Sequence, residues 1–417
     1  MKTAQFSVRA ILSIASACFV SSAIASANTW IVDINNGAGA NFTQITVALA
    51  GSQAGDVIIV RPGTYTAPTG GLAIDKGVTI IGQGLVKFSP ASHAEISGVP
   101  AGDVLVIVNL SATSWIVGNS QGSITIREST APSGVRVTSC SDVRVQALAG
   151  IVGTSTVTDS RCEIADCTLR GAPGQGSCCW GFPGGSGWSG LTIDSGSLVH
   201  LARSSALGGS GGDSGGGPAS GGAAGAGVAA YDSELWIDGG GVASIQGGVG
   251  GWGEFCGWDG ACGMGVYLGN STLIRSGAAL PGTPSPHCGA PGVPLVLGGN
   301  STDQVLTPDA PTLELSGNPV PGGVATFTVH AEPGSVVRLN IGAQPQVFAA
   351  PGILVENLVI KSRSFDLGMV PASGIAVKNV SLSPLFPQGY RLFAQARLVY
   401  PWNGEVRRTA SALTVVR

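Results

Sequence analysis

The sequence predicts an all-β protein in which a solenoid of stacked strands is followed by a small antiparallel β-sandwich. Two observations point to this class: short β-rich runs recur along most of the chain, and one apolar segment occurs three times near its middle. Composition is the third observation, because only 11% of the 417 residues are charged whereas 66 are glycine. Helical proteins normally carry more charge on their exposed faces.

The first 27 residues have the pattern of a secretory signal peptide. Lys2 and Arg9 form a basic start, an apolar stretch follows, and residues 25–27 supply an A-x-A cleavage signal. The alternative is a lipoprotein anchored at Cys18, although alanine stands where such signals usually have leucine. We therefore expect an exported protein, secreted or held at the cell surface or in the periplasm, after cleavage near Ala27. No other segment has the ~18 uninterrupted apolar residues that a membrane span needs.

The predicted solenoid occupies residues 28–306. From Val78 onward many successive β-rich runs start about twenty residues apart, which is close to one turn of a β-solenoid. Their alternation has a period of two, and Gly, Ser, Asn and Pro clusters separate them. The predicted strands lie at 57–60, 78–81, 104–108, 124–126, 135–137, 143–145 and 162–169.

The second half of this region repeats openly. Segments at 190–198, 227–235 and 265–273 align without gaps, 37 and 38 residues apart, and the copies carry Gly-rich excursions at 174–189, 208–225 and 247–263. One copy is too small to bury its own apolar face, so the copies must stack, with the excursions as loops on one side. The residues expected to point into the core are Leu169, Leu198, Leu207, Leu235, Ile245 and Leu273.

Residues 307–417 lose the glycine excess, and we place a domain boundary near Thr307. Alternating segments and turn signals at this spacing are typical of a β-sandwich. We expect no catalytic role for this module, and its single histidine, His330, is predicted to face solvent from a strand. The predicted strands lie at 325–330, 336–341, 354–360, 375–382, 390–399 and 411–416.

The opening of the solenoid resembles a known family. AGDVIIVRPGTY (54–65) and IDKGVTIIGQG (74–84) are similar to the first coils of right-handed parallel β-helix proteins with the pectin lyase-like fold. The resemblance implies that Gly55-Asp56 turns the chain into a buried strand and that Pro62-Gly63 turns it out. With LGMVPASG (367–374) and GYRLFAQARLV (389–399), the terminal module is similar to a β-sandwich appended to secreted repeat proteins of planctomycete-like bacteria. The family includes lyases, hydrolases, adhesins and proteins of no known role, so the resemblance implies a fold rather than an activity.

Charge and motifs exclude several classes of function. Without Lys2 and Arg9 the chain has 19 basic and 24 acidic residues, which disfavours nucleic acid as a partner. The carboxylate and Gly-His-Gly motifs of pectin-cleaving hydrolases do not occur. A lyase needs a basic residue beside the uronate, yet Arg203 and Arg275 are the only cations between Gly171 and Thr307, where eight acidic residues would repel a polyuronate. The sequence implies no cofactor.

Eight cysteines remain after the signal peptide, and an oxidising compartment favours disulfides over zinc. Cys256 and Cys262 are expected to close a small ring, because Gly257 and Gly260 let the intervening chain bend. Cys140 and Cys162 are 22 residues apart, about one coil, and are candidates for a second bond. Cys178 and Cys179 are adjacent and cannot easily bond each other, so at least one of them is expected to reach Cys167, Cys288 or a neighbouring loop.

Two of the Gly-rich excursions concentrate aromatic residues and are the candidate ligand-binding site. Aromatic rings on rigid loops can stack on sugar faces, and carboxylates there can accept hydrogen bonds from hydroxyl groups. The alternative is that the rings cover the open side of the solenoid as a satellite core. The candidate residues are Trp180, Phe182, Trp188, Trp252, Glu254, Phe255, Trp258 and Asp259.

Two functions remain open at this point. The favoured hypothesis is an exported, non-catalytic surface or adhesion-type protein that contacts extracellular polysaccharide through these loops. The other is a polysaccharide lyase or glycoside hydrolase with an atypical site. The sequence does not indicate an oligomeric state.

Overall fold

The computed structural model describes residues 27–66, 68–89, 91–177, 181–238, 244–253, 258–276, 280, 292–306, 309–317, 319–342, 344–348, 356–360, 363–409 and 412–416. Within these residues the chain forms a parallel β-helix followed by antiparallel sheets of three, five and two strands, in agreement with the fold class that the sequence predicts. No described helix has both the length and the apolarity to cross a membrane.

The β-helix contains 24 strands among the described residues, together with one short helix. The helix, α1 (Ile45–Gly51), places Ile45, Ala48 and Leu49 against the core next to the first strands. The strands are β1 (Thr29–Val32), β2 (Val57–Val60), β3 (Gly63–Thr66), β4 (Leu72–Ile74), β5 (Thr79–Gly82), β6 (Val86–Ser89), β7 (Ala94–Ser97), β8 (Val104–Val108), β9 (Trp115–Arg127), β10 (Val135–Gln146), β11 (Ile151–Val152), β12 (Ser155–Thr158), β13 (Arg161–Ala165), β14 (Thr168–Arg170), β15 (Leu191–Asp194), β16 (Leu198–Ala202), β17 (Ser205–Leu207), β18 (Val228–Tyr231), β19 (Glu234–Asp238), β20 (Ile245–Gln246), β21 (Val266–Gly269), β22 (Thr272–Ser276), β23 (Leu295–Gly298) and β24 (Thr302–Val305).

The strands stack in parallel on three sides of the coil, which we call sheets A, B and C. Sheet A contains β4, β7, the first halves of β9 and β10, β12, β15, β18, β21 and β23. Sheet B contains β1, β2, β5, β8, the second halves of β9 and β10, β13, β16, β19, β22 and β24. Sheet C contains the pair β3 and β6 and the series β11, β14, β17 and β20.

The corner between sheets A and B is built from a repeated pair of residues. The first adopts a positive φ, as in Asn119 (+48°) and Asp232 (+47°), and turns the chain. The second is a buried small residue whose side chain accepts a hydrogen bond from the same corner one coil earlier: the Cys140 amide donates to Ser160 Oγ at 3.0 Å, for example. This ladder contains Ser120, Cys140, Ser160, Ser197, Ser233, Ser271 and Ser301.

The opening turns behave as the family resemblance implies. Gly55 has a φ of +93°, and all four residues of β2 after it are buried. Asp56 accepts hydrogen bonds from the amides of Asn28 and Gln53 and from Trp30 Nε1, at 2.8–3.0 Å. Burial opposes ionisation of Asp56, but these donors outweigh it and lower the pKa of the carboxyl.

The repeat alignment is correct for most core positions and wrong for two. Leu169, Leu235, Ile245 and Leu273 are at most 1% exposed and lie in the core. In β16, however, Val199 pairs with Leu235, and the half-buried Leu198 pairs with Glu234. The corner there has one extra residue, since Ser195 and Gly196 both have positive φ. In sheet C, Ala206 pairs with Leu169 and Ile245, which leaves Leu207 half-buried.

The C-terminal module is an antiparallel sandwich with its own apolar core. His330 is half-buried rather than fully solvent-facing, and its Nε2 lies 3.6 Å from Glu314 Oε2. The strands are β25 (Thr312–Gly317), β26 (Val324–His330), β27 (Val336–Gly342), β28 (Gln344–Phe348), β29 (Glu356–Ile360), β30 (Arg363–Met369), β31 (Ile375–Ser381), β32 (Arg391–Val399), β33 (Val406–Arg408) and β34 (Ala412–Val415).

The sandwich packs against the outer surface of sheet B. Phe393, Leu413 and Val415 form one buried cluster with outward residues of the first coils, among them Ile59 and Val106. At the edge of this contact, Arg391 Nη1 donates to the Val104 carbonyl at 2.8 Å. The outer face of the first coils of sheet B is therefore covered by the sandwich.

Candidate functional site

The Gly-rich excursions between sheets C and A are ordered as a two-layered bundle, which we call the glycine bundle. The outgoing layer contains residues 171–177, 208–215 and 247–253, and the return layer contains residues 181–190, 219–227 and 258–265. Each excursion is one row, so the bundle has three rows stacked along the axis of the β-helix. None of these segments is a helix or a β-strand.

Successive rows are joined by backbone hydrogen bonds at every third residue. In the outgoing layer Gly171, Gly174 and Ser177 donate to the second row, at 2.7–3.0 Å. The other vertical donors are Gly208, Gly211 and Ser214 in the outgoing layer and Gly181, Gly184, Gly187, Gly190, Gly221, Ala224 and Gly227 in the return layer.

Backbone hydrogen bonds also join the outgoing and return layers, again at every third residue. Within the second row, Gly222 and Gly225 donate to the carbonyls of Gly212 and Gly209 at 2.8–2.9 Å. A three-residue repeat is that of the polyproline II helix, which has no hydrogen bonds of its own and must find partners in neighbouring chains. The backbones of these segments therefore hold one another in place through hydrogen bonds between rows and between layers.

Glycine is required at the inner positions by close backbone approach. A Cβ atom on Gly212 would lie 2.2 Å from the carbonyl oxygen of Gln175, and one on Gly225 would lie 2.0 Å from that of Trp188. On Gly176, which faces outward, a Cβ would find its nearest neighbour at 3.7 Å. In the bundle, side chains larger than that of glycine are thus confined to the outer surfaces and to the free side of the first row, where no preceding row approaches.

The periodicity places two candidate tryptophans on opposite faces of the bundle. Trp252 is 60% exposed on the outer surface of the outgoing layer, in register with Asp213 of the second row, whose Oδ1 accepts from the Trp252 amide at 2.8 Å. Trp258 is 80% exposed on the outer surface of the return layer. A single ligand lying on one face would contact only one of these rings.

Phe182 and Trp188 lie on a third surface, the free side of the first row. They occupy the positions at which the second row has residues 219 and 225, and they are 61% and 58% exposed. These exposures show that the four described aromatic candidates do not form a satellite core. Trp180 lies outside the described residues.

The return layer continues into sheet A without interruption. The amides of Gly190 and Leu191 donate to Ala226 and Gly227, so the vertical hydrogen bonds of the bundle run directly into those of β15 and β18. We call the combined outer surface the return face. Besides Trp258 it carries Tyr231 and Tyr267, whose ring centroids are 5.5 Å apart with a 50° tilt. Neither tyrosine is among the candidate residues predicted from the sequence, because the pattern of their strands is that of ordinary half-buried strands.

The carboxylate candidates have a partly structural role. Asp259 is half-buried, and its Oδ1 accepts from the Gly253 amide at 3.1 Å, which ties the outgoing and return segments together at the tip of the third row. Glu254 and Phe255 lie outside the described residues.

The structure contradicts one cysteine prediction and leaves the other open. Cys140 and Cys162 are free thiols. The residue stacked on Cys140 in the next coil is Ser160, and Cys162 lies two residues after Ser160, where it pairs with Val143. Burial raises the pKa of both thiols. Cys262 is disulfide-bonded, but Cys256, its predicted partner, lies outside the described residues.

Cys167, expected as a partner of Cys178 or Cys179, is also free. It is 2% exposed, and burial raises the pKa of its thiol to about 12. Cys178, Cys179 and Cys288 lie outside the described residues.

Two buried ion pairs lie on sheet B or directly after its strands. His200 Nε2 is 3.4 Å from Asp238 Oδ2, and Arg203 makes two hydrogen bonds of 2.7 Å to the Asp166 carboxylate. Burial opposes protonation of His200, but the hydrogen bond and charge of Asp238 outweigh it and raise the pKa of the imidazole. The His200 and Asp238 side chains are only 7% and 4% exposed, so we assign this pair a structural role. Among the described residues, no three His, Cys, Asp or Glu side chains are grouped to hold a metal ion.

Comparison with known protein families finds a match for only part of the chain. Residues 33–197 match a family described as "Protein of unknown function (DUF1565)", so the match ends before the second row of the bundle. The structure is similar to that of the deglycosylated pectin methylesterase from Aspergillus niger, at 11% identity and a TM-score of 0.19, over 68% of this chain and 87% of that one. Similarity at this level carries no information about activity. No curated protein matches the sequence.

Proposed function

We propose that the protein is exported and acts as a non-catalytic β-helical surface protein that contacts neutral polysaccharide through its return face. The observation that carries this proposal is Trp258, which is 80% exposed although its carbonyl accepts a hydrogen bond from the Gly221 amide and the nearby Gly260 amide donates to Gly251. A large exposed aromatic ring on a fixed support loses little conformational entropy when a ligand stacks on it.

The shape of the return face suits a long, linear ligand. Trp258 precedes Tyr267 by nine residues, most of them in the extended return segment, so the two residues are separated by about 28 Å at the rise of a polyproline II chain. Between them the outward positions hold only Ala261 and Met264, which leaves a flat floor. A chain of sugar rings could contact Trp258 at one end and the Tyr231–Tyr267 pair at the other.

The charge distribution favours a neutral polymer over a polyuronate. Of the cations in this region, Arg203 pairs with Asp166 and Arg275 with Asp303, both on sheet B. Asp194 and Asp232 are exposed beside the strands of sheet A and add negative charge next to the return face. An anionic polysaccharide would be repelled there.

Affinity electrophoresis or calorimetry against neutral β-glucans, xylans, mannans and polygalacturonate tests the proposal. We expect saturable binding to at least one neutral polymer, weaker binding to polygalacturonate, and no release of new reducing ends or unsaturated uronates. Trp258→Ala should weaken binding by about tenfold or more, since aromatic anchors dominate such contacts. Replacing Tyr231 and Tyr267 together by Ala should have a similar effect.

Trp252→Ala is the matched control, because Trp252 is similarly exposed but lies on the opposite face. A loss of affinity in Trp252→Ala equal to that in Trp258→Ala would show that the return face is not the binding surface. Cleavage products from any of the polymers would establish the enzyme hypothesis instead.

A further inference from the structure

The tyrosine pair on sheet A leans over glycine residues. Tyr231 at the end of β18 is in register with Gly269, which is in register with Gly298 one coil later. A Cβ atom on Gly269 would lie 3.1 Å from Cδ1 of Tyr231, and one on Gly298 would lie 3.1 Å from the hydroxyl oxygen of Tyr267. Each ring therefore extends over the next coil, at a position where a larger side chain would meet it.

The two rings form a tilted pair rather than a flat platform. Their centroids are 5.5 Å apart and their planes are inclined by 50°. This is the spacing of aromatic rings in direct contact, so no sugar can lie between them. Tyr231 is 40% exposed and Tyr267 is half-buried, so a glycan can reach both rings from the outer side. Because the spacing is close to the length of one sugar unit in an extended chain, successive sugars would contact successive rings.

We propose that the tyrosine pair selects neutral glycans with a twisted backbone, of the β-1,4-xylan type, over glycans that form flat ribbons. This inference rests on the proposed binding of polysaccharide and names the class of polymer. In a flat ribbon such as cellulose each sugar is turned by half a revolution relative to the last, so successive faces are parallel and suit coplanar aromatic rings. A xylan chain turns by a third of a revolution per sugar, so successive faces are steeply inclined, as the planes of Tyr231 and Tyr267 are.

Calorimetric titration of the protein with xylohexaose and with cellohexaose tests the proposal. Sedimentation with microcrystalline cellulose adds a probe whose lattice keeps the ribbons flat. We expect an affinity for xylohexaose about tenfold higher than that for cellohexaose, and no retention on cellulose.

Gly269→Val separates the orientation of the rings from the stability of the fold. Its side chain would occupy the space over which the Tyr231 ring leans, whereas valine suits a strand better than glycine does. We therefore expect thermal stability that is unchanged or higher, binding of xylohexaose that is weaker by about tenfold, and a smaller preference over cellohexaose.

Gly118→Val is the matched control. Gly118 also lies at an outward position of sheet A, in β9, but a Cβ atom there would find its nearest neighbour at 4.0 Å. This variant should bind both hexasaccharides as the unaltered protein does.

Three outcomes would overturn the proposal. Equal affinity for the two hexasaccharides, or retention on cellulose, would refute the selectivity and leave polysaccharide binding in place. Unchanged affinity and preference in a folded Gly269→Val would show that the tilted pair does not determine the preference for a twisted chain. No binding of any neutral glycan would overturn the proposed function, and this inference with it.

Discussion

The β-helix and the glycine bundle are stacked along the same axis by backbone hydrogen bonds between successive turns, but their interiors are built in different ways. The interior of the β-helix is a continuous apolar core of Val, Ile and Leu side chains with a few aromatic residues such as Trp115 and Tyr65. The interior of the bundle is backbone packed against backbone, with glycine at each close approach.

This difference determines how each region is stabilised. Burial of a Leu or Ile side chain contributes about 1.5–3 kcal/mol, so each coil adds substantial apolar stabilisation. A backbone hydrogen bond contributes about 1 kcal/mol net, and ordering glycine costs more entropy than ordering any other residue. The bundle therefore depends on its attachment to the coils, whose strands fix the spacing of its rows.

Removal of a core side chain from the β-helix should give the largest effect. Leu235 is fully buried between Val199 and Leu273, so Leu235→Ala should lower the free energy of unfolding by about 3 kcal/mol. Leu198→Ala should lower it by less than about 1 kcal/mol, because Leu198 lies half-buried beside Glu234. Urea unfolding followed by circular dichroism measures both. Equal losses would restore the gapless repeat alignment and refute the extra residue at the corner.

Addition of a single methyl group should be the more damaging change in the bundle. A Cβ on Gly222 would lie 1.9 Å from the carbonyl oxygen of Gly185, so Gly222→Ala must push two rows apart and should cost about 1–3 kcal/mol. Gly176→Ala, in open space, should be neutral or slightly stabilising. Amide hydrogen exchange should show faster exchange in the first and second rows of Gly222→Ala alone. If both variants exchange like the unaltered protein, the rows are not in the close contact described.

Much of the β-helix was predictable because its signal is local. Alternation with a period of two and a recurrence of about twenty residues specify strands and coils, and the predicted strands at 57–60 and 104–108 coincide with β2 and β8. The position of Leu198 was wrong because one extra corner residue shifts its strand by one position. Leu207 was matched with Leu169 one position out of register, since Leu169 pairs with Ala206. A shift of one position in a strand exchanges core and surface.

The candidate site was less predictable because glycine carries no periodic hydrophobic signal. The three-residue period is nevertheless visible in hindsight, since Gly222 and Gly225 recur with Gly260 and Gly263 one row later. The sequence shows that the aromatic residues are concentrated in the Gly-rich excursions. Only the three-residue period of the bundle shows that Trp252, Trp258 and Trp188 point to three different surfaces. A polar residue followed by Ser or Cys is a further sequence signal, because it marks corners of the coil. Cys140 and Cys167, which were predicted to form disulfides, occupy the second position of such pairs.

The smallest effect separates the corner ladders from the apolar core. Besides the ladder between sheets A and B, a similar one follows sheet B and contains Ser129, Cys167 and Ser204. Cys140 Sγ lies 3.2 Å from the Thr138 carbonyl and Cys167 Sγ lies 3.1 Å from the Ala165 carbonyl, the contacts that serine hydroxyls make at the other corners. Cys140→Ser and Cys167→Ser should therefore change the free energy of unfolding by less than about 1 kcal/mol. Cys162 instead stacks between Val143 and Val199 in an apolar row. Cys162→Ser should lower the free energy of unfolding by about 1–3 kcal/mol, because it places a hydroxyl group in that row. Cys162→Val should be better tolerated. Thermal unfolding of the four variants under reducing conditions gives the ranking. Equal destabilisation by serine at all three positions would show that Cys140 and Cys167 do not belong to the corner ladders.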